Sequence, residues 1–478
     1  MTRSGLAGRL HLVLVPGFGG FDVLGDLEYY VGTTGLFRDW WEKRRGSEGG
    51  GEPVLHYFDN FPTAGVRTRA ALLREFLAKR LARNQIQEAH DAVVLIGHST
   101  GGLDIRQLIC DLTGSVPDAQ PEGARPDARV AVDGSRESAV KLENARLRAL
   151  IQRVVFLSVP QRGTNIANWV GKHDGARKWL TSWLRAAVDL SDIPGLEGAD
   201  VWWSKHVTRP RLDAAERQMA LSVAVSDVRL EMAERLDDEP LRAARGRAAQ
   251  ASVNLWLSHI QGDFLAIRDL AYGVATDPTP ARFSPEQRRA ELSGYQASPG
   301  KWDALEVRSY ATLGRCPFGA AWQRERTRVE PGGVAHLFDV VKDAFDKSLW
   351  DGKSDLAYRI AYRICAEGPF AAEPGASMQL LDGRESVPLE AWQNDGIVNT
   401  ASMAWPLGDT FLVHADHGDI IGHCALVPVA DPAEAGQGRK YHTYDILESG
   451  SALHGVEFSP EQFAEVWQHI FEFAVLGS

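Results

Sequence analysis

The stretch from Val93 to Asp104, VVLIGHSTGGLD, constrains this chain more than any other. A short apolar run reads as a buried strand and stops at Gly97-His98-Ser99-Thr100-Gly101. Beyond it Leu103, Leu108, Ile109 and Leu112 recur at helical spacing. A G-x-S-x-G pattern between a strand and a helix demands a sharp turn, with the serine at its corner. Gly97 and Gly101 flank that serine because such a turn packs close to its neighbours and leaves little room for a Cβ. The corner exposes Oγ and gathers backbone amides beside it. A small serine in a glycine-flanked turn is the bland alternative. The strand before it and the helix after it favour a nucleophile at Ser99.

The rest of the chain supplies a sheet for that strand. Leu10 to Val15 reads as a buried first strand, halted by Pro16-Gly17-Phe18-Gly19-Gly20. The glycine spacing of this turn fits neither a dinucleotide fold nor a P-loop, because no Gly-Lys-Ser/Thr follows. Beside an elbow, its natural role is half of an oxyanion hole, with the amides of Phe18 and Thr100 as the two donors. Val54 to Phe58 is a second strand, and Arg67 to Arg83 a helix whose Leu72, Leu73, Phe76, Leu77 and Leu81 face the sheet. Strand, helix, strand, helix is the order of a mostly parallel sheet. Residues 114–136 read as a polar exposed loop, and Val154 to Leu157 as the next central strand, followed by Pro160 to Thr164.

From about 165 to 300 the periodicity is helical and rich in tryptophan, as in Trp169, Trp179 and Trp183. Such an excursion at the carboxyl edge of a sheet reads as a cap over a cleft. Leu305 to Tyr310 returns to the sheet. A second excursion, about 316–390, includes a helical segment from Val334 to Cys365. Phe411 to Val413 is a late strand, and Glu461 to Ala474 a terminal helix. The expected organisation is therefore a core of 1–164 and 301–478 with a helical cap at 165–300.

Composition removes several classes. A formal charge of -11 argues against nucleic-acid binding. No apolar run is long enough for a membrane span. The N-terminus MTRSGLAGRL lacks a secretory h-region and cleavage site, so a cytoplasmic location is expected. Cys110, Cys316, Cys365 and Cys424 are widely spaced and apolar in context, and read as buried free thiols.

A serine hydroxyl needs a histidine to accept its proton, and that histidine needs a carboxylate to fix its tautomer. On this architecture the order is serine, acid, histidine. Asp395 sits in a polar turn, Gln393 to Asn399, and His417 in a turn between a strand and Ile420-Ile421. Spacing alone leaves His414 and His423 as competing bases, and Asp382 and Asp416 as competing acids.

Four blocks of the chain resemble the lipase/esterase branch of the α/β-hydrolase superfamily, most closely the lipases of thermophilic bacilli and staphylococci. They are Pro16-Gly17-Phe18, the elbow Gly97 to Gly101, Pro160 to Thr164, and Asn394-Asp395-Gly396-Ile397-Val398-Asn399-Thr400 with Ser402-Met403. In those lipases a near-identical last block supplies the triad acid. The histidine lies in a turn like Asp416-His417-Gly418-Asp419-Ile420-Ile421-Gly422. The resemblance implies an α/β-hydrolase fold, a mostly parallel sheet flanked by helices with a large helical cap. It also implies Ser99, Asp395 and His417 as the triad.

The chain departs from that family at several positions. Pro16 stands in place of the family's usual histidine, and Thr100 in place of glutamine. Asp419 matches one calcium ligand, but Cys424-Ala425 replaces the Asp-Pro pair that would supply further oxygens, which argues against calcium. Residues 80–92 hold only His90 where the family's zinc site has several ligands, so no metal and no cofactor are expected.

The implied function is serine acyl transfer on carboxylic esters with an apolar part. The partner is then a small-molecule ester, with contact at a lipid interface compatible. A thioesterase, amidase or polyester depolymerase would use the same triad. A non-catalytic binding protein on the same fold would have no need to keep all three side chains.

Overall fold

The run Leu10–Val15 forms the first strand, β1, and every one of its residues is buried. Alternate side chains therefore meet apolar cover on both faces, as a parallel sheet requires. In the computed structural model the described residues are 8–20, 23–24, 27–44, 53–88, 90–113, 134–172, 305–317, 354–367, 377–405, 409–424 and 458–477. After β1 come a short antiparallel ribbon, β2 (Val23–Leu24) and β3 (Leu27–Glu28), and helix α1 (Thr33–Arg44). Then follow β4 (Val54–Tyr57), α2 (Val66–Ala82), β5 (Ala92–His98) and α3 (Thr100–Thr113). The strands and helices expected around the elbow thus lie within a residue or two of their sequence boundaries.

Further on are α4 (Gly134–Leu150), β6 (Ile151–Leu157), α5 (Asn165–Lys172) and β7 (Glu306–Thr312). The chain ends with α6 (Ser354–Glu367), β8 (Ser377–Leu380), β9 (Ser386–Pro388), α7 (Thr400–Met403), β10 (Thr410–Val413) and α8 (Pro460–Phe471). Helix α8 opens with a capping box, Ser459 Oγ accepting from Gln462 N while the Gln462 side chain accepts from Ser459 N, and Pro460 fits the first turn.

The eight-stranded sheet has the order β4-β1-β5-β6-β7-β10-β8-β9. All its pairings are parallel except β8 with β9. Sequence reading did not single out β8 and β9, which lie inside the second excursion and extend the sheet at one edge. It also missed α4. The proposed cap falls outside the described residues apart from α5, as does Val334 to Lys353 of the second excursion's helical segment.

The chain runs from β1 to the edge strand β4 and returns to β5 on the other side of β1. That reversal leaves a crevice at the carboxyl ends of β1 and β5, where open α/β sheets bind ligands. One face of the sheet, with Leu12, Leu14, Val94, Ile96, Val155 and Leu157, packs with Phe37, Trp40 and Trp41 of α1 and Phe463, Trp467 and Phe471 of α8. Trp467, fully buried, also donates Nε1–H to the Ile420 carbonyl at 2.9 Å, tying α8 to the turn that carries His417. Helices α2 and α3 pack together and take the opposite face. All four cysteines are free, with Cys110 and Cys365 buried and Cys316 and Cys424 only half-buried, contrary to the expectation that all four are buried. None of the helices among the described residues is long and apolar enough to cross a membrane.

Candidate active site

Ser99 sits at the corner between β5 and α3 with φ +53°, a left-handed conformation rare for a side chain with a Cβ. The corner persists because its surroundings over-determine it. Ser99 N–H extends the sheet to the Leu157 carbonyl at 2.9 Å, while the Ser99 carbonyl accepts from Gly102 N at 3.1 Å. A Cβ on Gly101 would lie 2.3 Å from the Val15 carbonyl oxygen, and one on Gly97 2.6 Å from Ile105 Cδ1. The two flanking glycines are therefore steric necessities. Gly17 makes the same point from β1: a Cβ there would lie 2.7 Å from Ser99 Cβ and 2.6 Å from the Tyr29 hydroxyl. The end of β1 and the elbow are in contact.

The peptide groups at that end of β1 are held individually. Arg69 Nη2 donates to the carbonyls of Pro16 at 3.0 Å and Gly17 at 3.1 Å. Gly17 N–H points the other way, to the Tyr29 hydroxyl at 2.7 Å. In a trans peptide the N–H opposes the carbonyl before it. The Phe18 N–H, opposite the Gly17 carbonyl, therefore faces away from Arg69. Thr100 is the first residue of α3 and fully buried, and its N–H belongs to the turn that lacks intrahelical acceptors. The positive end of the helix dipole points the same way. Arg69 itself is wholly buried, paired with Asp104 of α3 at 2.8 Å, and Asn60 Nδ2 also donates to Asp104 at 3.0 Å.

Asp395 and His417 come together. His417 Nδ1 and Asp395 Oδ2 are 2.7 Å apart, and the His417 backbone N–H donates to the Asp395 carbonyl at 3.1 Å. Asp395 is fully buried but amply solvated by protein. Its Oδ1 accepts from the amides of Ile397 and Val398 at 3.0 and 2.7 Å, and Oδ2 from the Thr312 hydroxyl at 2.6 Å. An ionised carboxylate only accepts, so Thr312 gives it its proton and receives one from Ser158 Oγ at 2.8 Å. Gly396, at φ +93°, closes the tight turn that aims the amides of Ile397 and Val398 back at the carboxylate. The hydrogen bond to Asp395 assigns the His417 proton to Nδ1, which leaves Nε2 with a lone pair.

The other candidate acids and bases take different positions. Asp382 is exposed in a turn, where it accepts from Arg384 N. Asp416 Oδ1 caps the amides of Gly418 and Asp419 at 2.7 and 3.0 Å. His414 is exposed, and His423 Nε2 donates to the Tyr29 carbonyl at 3.0 Å. Asp419, matched by sequence to a calcium ligand, accepts from Asp416 N at 2.7 Å.

The His417 loop is tied to the elbow through His98, the residue before the serine. The His98 ring lies 4.7 Å from that of His417, and His98 Nε2 meets the His417 carbonyl at 2.9 Å. Ser99 Oγ and His417 Nε2 form no hydrogen bond with each other among the described residues. Burial, reinforced by the neighbouring His417, pushes the His98 imidazole well below its usual range, so the ring is neutral.

Arg69, Tyr29, His98, Thr312 and Ser158 were not picked out from the sequence. Arg69 did leave a trace: it shares the buried face of α2 with Val66, Ala70, Leu73 and Leu77, where a cation needs a partner. Tyr29 and Thr312 left none.

No family model matches this chain, and no curated protein sequence matches it significantly. Among solved structures, a Bacillus licheniformis lipase in mature form is similar at 10% identity over 86% of this chain and 85% of that one, with a TM-score of 0.34. Lipase 1 from Pelosinus fermentans is similar at 15% identity over 88% and 94%, with a TM-score of 0.39. A metagenomic carboxyl esterase is similar at 14% over 94% and 76%, with a TM-score of 0.33. The strand order and the elbow carry the assignment. The fold is that of an α/β-hydrolase.

Proposed function

We propose that the chain is a serine hydrolase of carboxylic esters, with Ser99 as nucleophile, His417 as general base and Asp395 as its orienting acid. The observation that carries this reading is the 2.7 Å hydrogen bond between Asp395 and His417, in a loop bonded to the residue beside a serine at φ +53°. His417 Nε2 takes the Ser99 proton as Oγ attacks the ester carbonyl. The amides of Phe18 and Thr100 hold the oxyanion. His417 then gives its proton to the leaving alcohol and activates a water that releases the acid. The lipase and esterase names of the structurally similar proteins agree with an ester substrate, and the elbow chemistry applies equally to thioesters and amides.

A fluorophosphonate probe tests the assignment. Labelling is expected in the wild type and absent in Ser99→Ala. Labelling that persists at another serine would overturn it. A panel of p-nitrophenyl esters of increasing chain length, run beside emulsified triglyceride, an acyl thioester and a polyester, then fixes the substrate class.

A further inference from the structure

The Tyr29 hydroxyl lies between two parts of the site that no chain segment joins directly. It is 2.7 Å from Gly17 N and 2.7 Å from His98 Nδ1. The proton directions follow from which groups can only give and which can only take. Gly17 N–H can only donate, so the phenol oxygen accepts there. The His417 carbonyl can only accept, so the His98 proton is on Nε2, at 2.9 Å. The neutral His98 ring then offers a lone pair at Nδ1, and Tyr29 O–H donates to it. One unidirectional path results: Gly17 N–H to Tyr29 O–H to His98 Nδ1, and His98 Nε2–H to the His417 carbonyl. Tyr29 is buried, and so is every other member of the path.

A second set of contacts clamps the same dipeptide. The Tyr30 hydroxyl donates to the Val15 carbonyl at 2.7 Å, and the Tyr29 carbonyl accepts from His423 Nε2 at 3.0 Å. Residues 29–30 therefore bind the end of β1 on one side and the loop after His417 on the other.

We propose that Tyr29 is a positioning residue whose hydroxyl, acting through His98, couples the oxyanion-binding end of β1 to the loop that carries His417. The proposal rests on the ester-hydrolase reading above. The Phe18 amide and the imidazole of His417 then sit in register with one another, because the end of β1 and the His417 loop are tied to opposite sides of one side-chain pair. Tyr29 acts through His98, whose ring lies beside that of His417.

Tyr29→Phe removes one oxygen and keeps the ring. For a p-nitrophenyl ester that wild type hydrolyses, kcat is expected to fall about 10–100-fold with KM within about twofold, since small misplacements near the chemistry cost on that scale. A boronic acid, which forms a tetrahedral adduct on the serine, is expected to bind more weakly by the same factor as kcat/KM falls. A merely structural Tyr29 would lower the thermal midpoint and leave both kinetic and boronate values unchanged well below that midpoint, and this result would overturn the proposal. His98→Leu should not compound with Tyr29→Phe, because both break one path; multiplicative losses in the double variant would also overturn it. If His98→Leu does not fold, the boronate comparison on Tyr29→Phe decides alone. Wild type that neither labels with fluorophosphonate nor cleaves any ester brings down the hydrolase reading and this proposal together. A labelled wild type with an unaffected Tyr29→Phe brings down this proposal only.

Discussion

Arg69 offers a way to separate what holds the fold from what aims the proposed oxyanion hole. Its guanidinium is fully buried against Asp104 at 2.8 Å, and it also holds the carbonyls of Pro16 and Gly17. Arg69→Met keeps most of the aliphatic stem but leaves the Asp104 carboxylate buried without the Arg69 guanidinium, while Asn60 still donates to it. Breaking a buried pair on one side costs about 3–5 kcal/mol, because the remaining charge has lost its counter-ion. Replacing both partners with apolar groups of similar volume is often neutral or stabilising. The double variant Arg69→Met/Asp104→Leu should therefore recover most of the stability lost in the single one, as read by urea unfolding. Activity should not recover with it. Without Arg69 the Gly17 carbonyl loses a donor and keeps Gly20 N at 2.9 Å, so the Gly17–Phe18 peptide plane is less constrained. Loss of a fixed oxyanion donor costs about 2.7–4 kcal/mol in the transition state, and partial misdirection correspondingly less. We expect kcat to stay about 10–100-fold below wild type in the double variant at temperatures where it is fully folded. Recovery of both stability and kcat would refute the reasoning and reduce Arg69 to a packing residue.

Two further outcomes follow from the same contacts. Asp395→Asn keeps the shape of the turn but favours the wrong His417 tautomer, so kcat is expected to fall about 10⁴-fold with little change in the far-ultraviolet spectrum; near wild-type turnover would remove Asp395 from the site. His56 is held down to about 3 by burial first, then by Arg80 and His11, and His11 is lowered too, chiefly by burial. Folded values below the unfolded value near 6.5 mean stability that is complete above that pH and is lost as pH falls toward the folded value. Between pH 6.5 and 5 His56 adds up to about 1.4 kcal/mol per pH unit to the slope, so His56→Gln should flatten the urea-unfolding profile there; an unchanged slope would refute it.

What could be read from the sequence was whatever repeats locally or is forced by a single tight place. The strand Leu10–Val15 was exact because six consecutive residues are buried on two faces, which leaves little choice of pattern. The elbow was readable because three backbones converge on Gly97, Gly101 and Gly17, and side chains cannot be accommodated there. Helix α4 was missed because it follows a polar stretch, and over 142–150 only Leu147 and Leu150 are buried. Strands β8 and β9 were missed because they are short and at the edge, with alternate residues exposed and little apolar run to detect. Asp395 and His417 lie 22 positions apart, and spacing left rivals for each. In the fold Asp382 and His414 face solvent, while Asp416 and His423 make hydrogen bonds with backbone groups.

The residues that sequence did not reveal share one physical character. Each is a buried polar side chain that holds a group on a distant segment: Arg69 on the end of β1, Tyr29 on His98, Thr312 on Asp395. Arg69 follows the buried face of α2, but the partner each of these residues holds is set by topology, which local periodicity does not show. The end of β1 meets α2 and the elbow only because the chain reverses between β4 and β5. Such side chains are costly to bury unless every donor and acceptor is matched, so each one constrains the geometry of its partner tightly. The strained corner at Ser99 costs about 1–3 kcal/mol and places no apolar surface in the core. It is kept in place by the sheet ladder on one side and by a set of one-to-one polar contacts on the other. Apolar burial on both faces of the sheet provides the stability, and it tolerates shape-conserving exchange. The polar contacts provide the aim, and they tolerate almost none. Substitutions in this chain should therefore divide sharply, with core exchanges moving unfolding midpoints and exchanges among these few polar residues moving turnover.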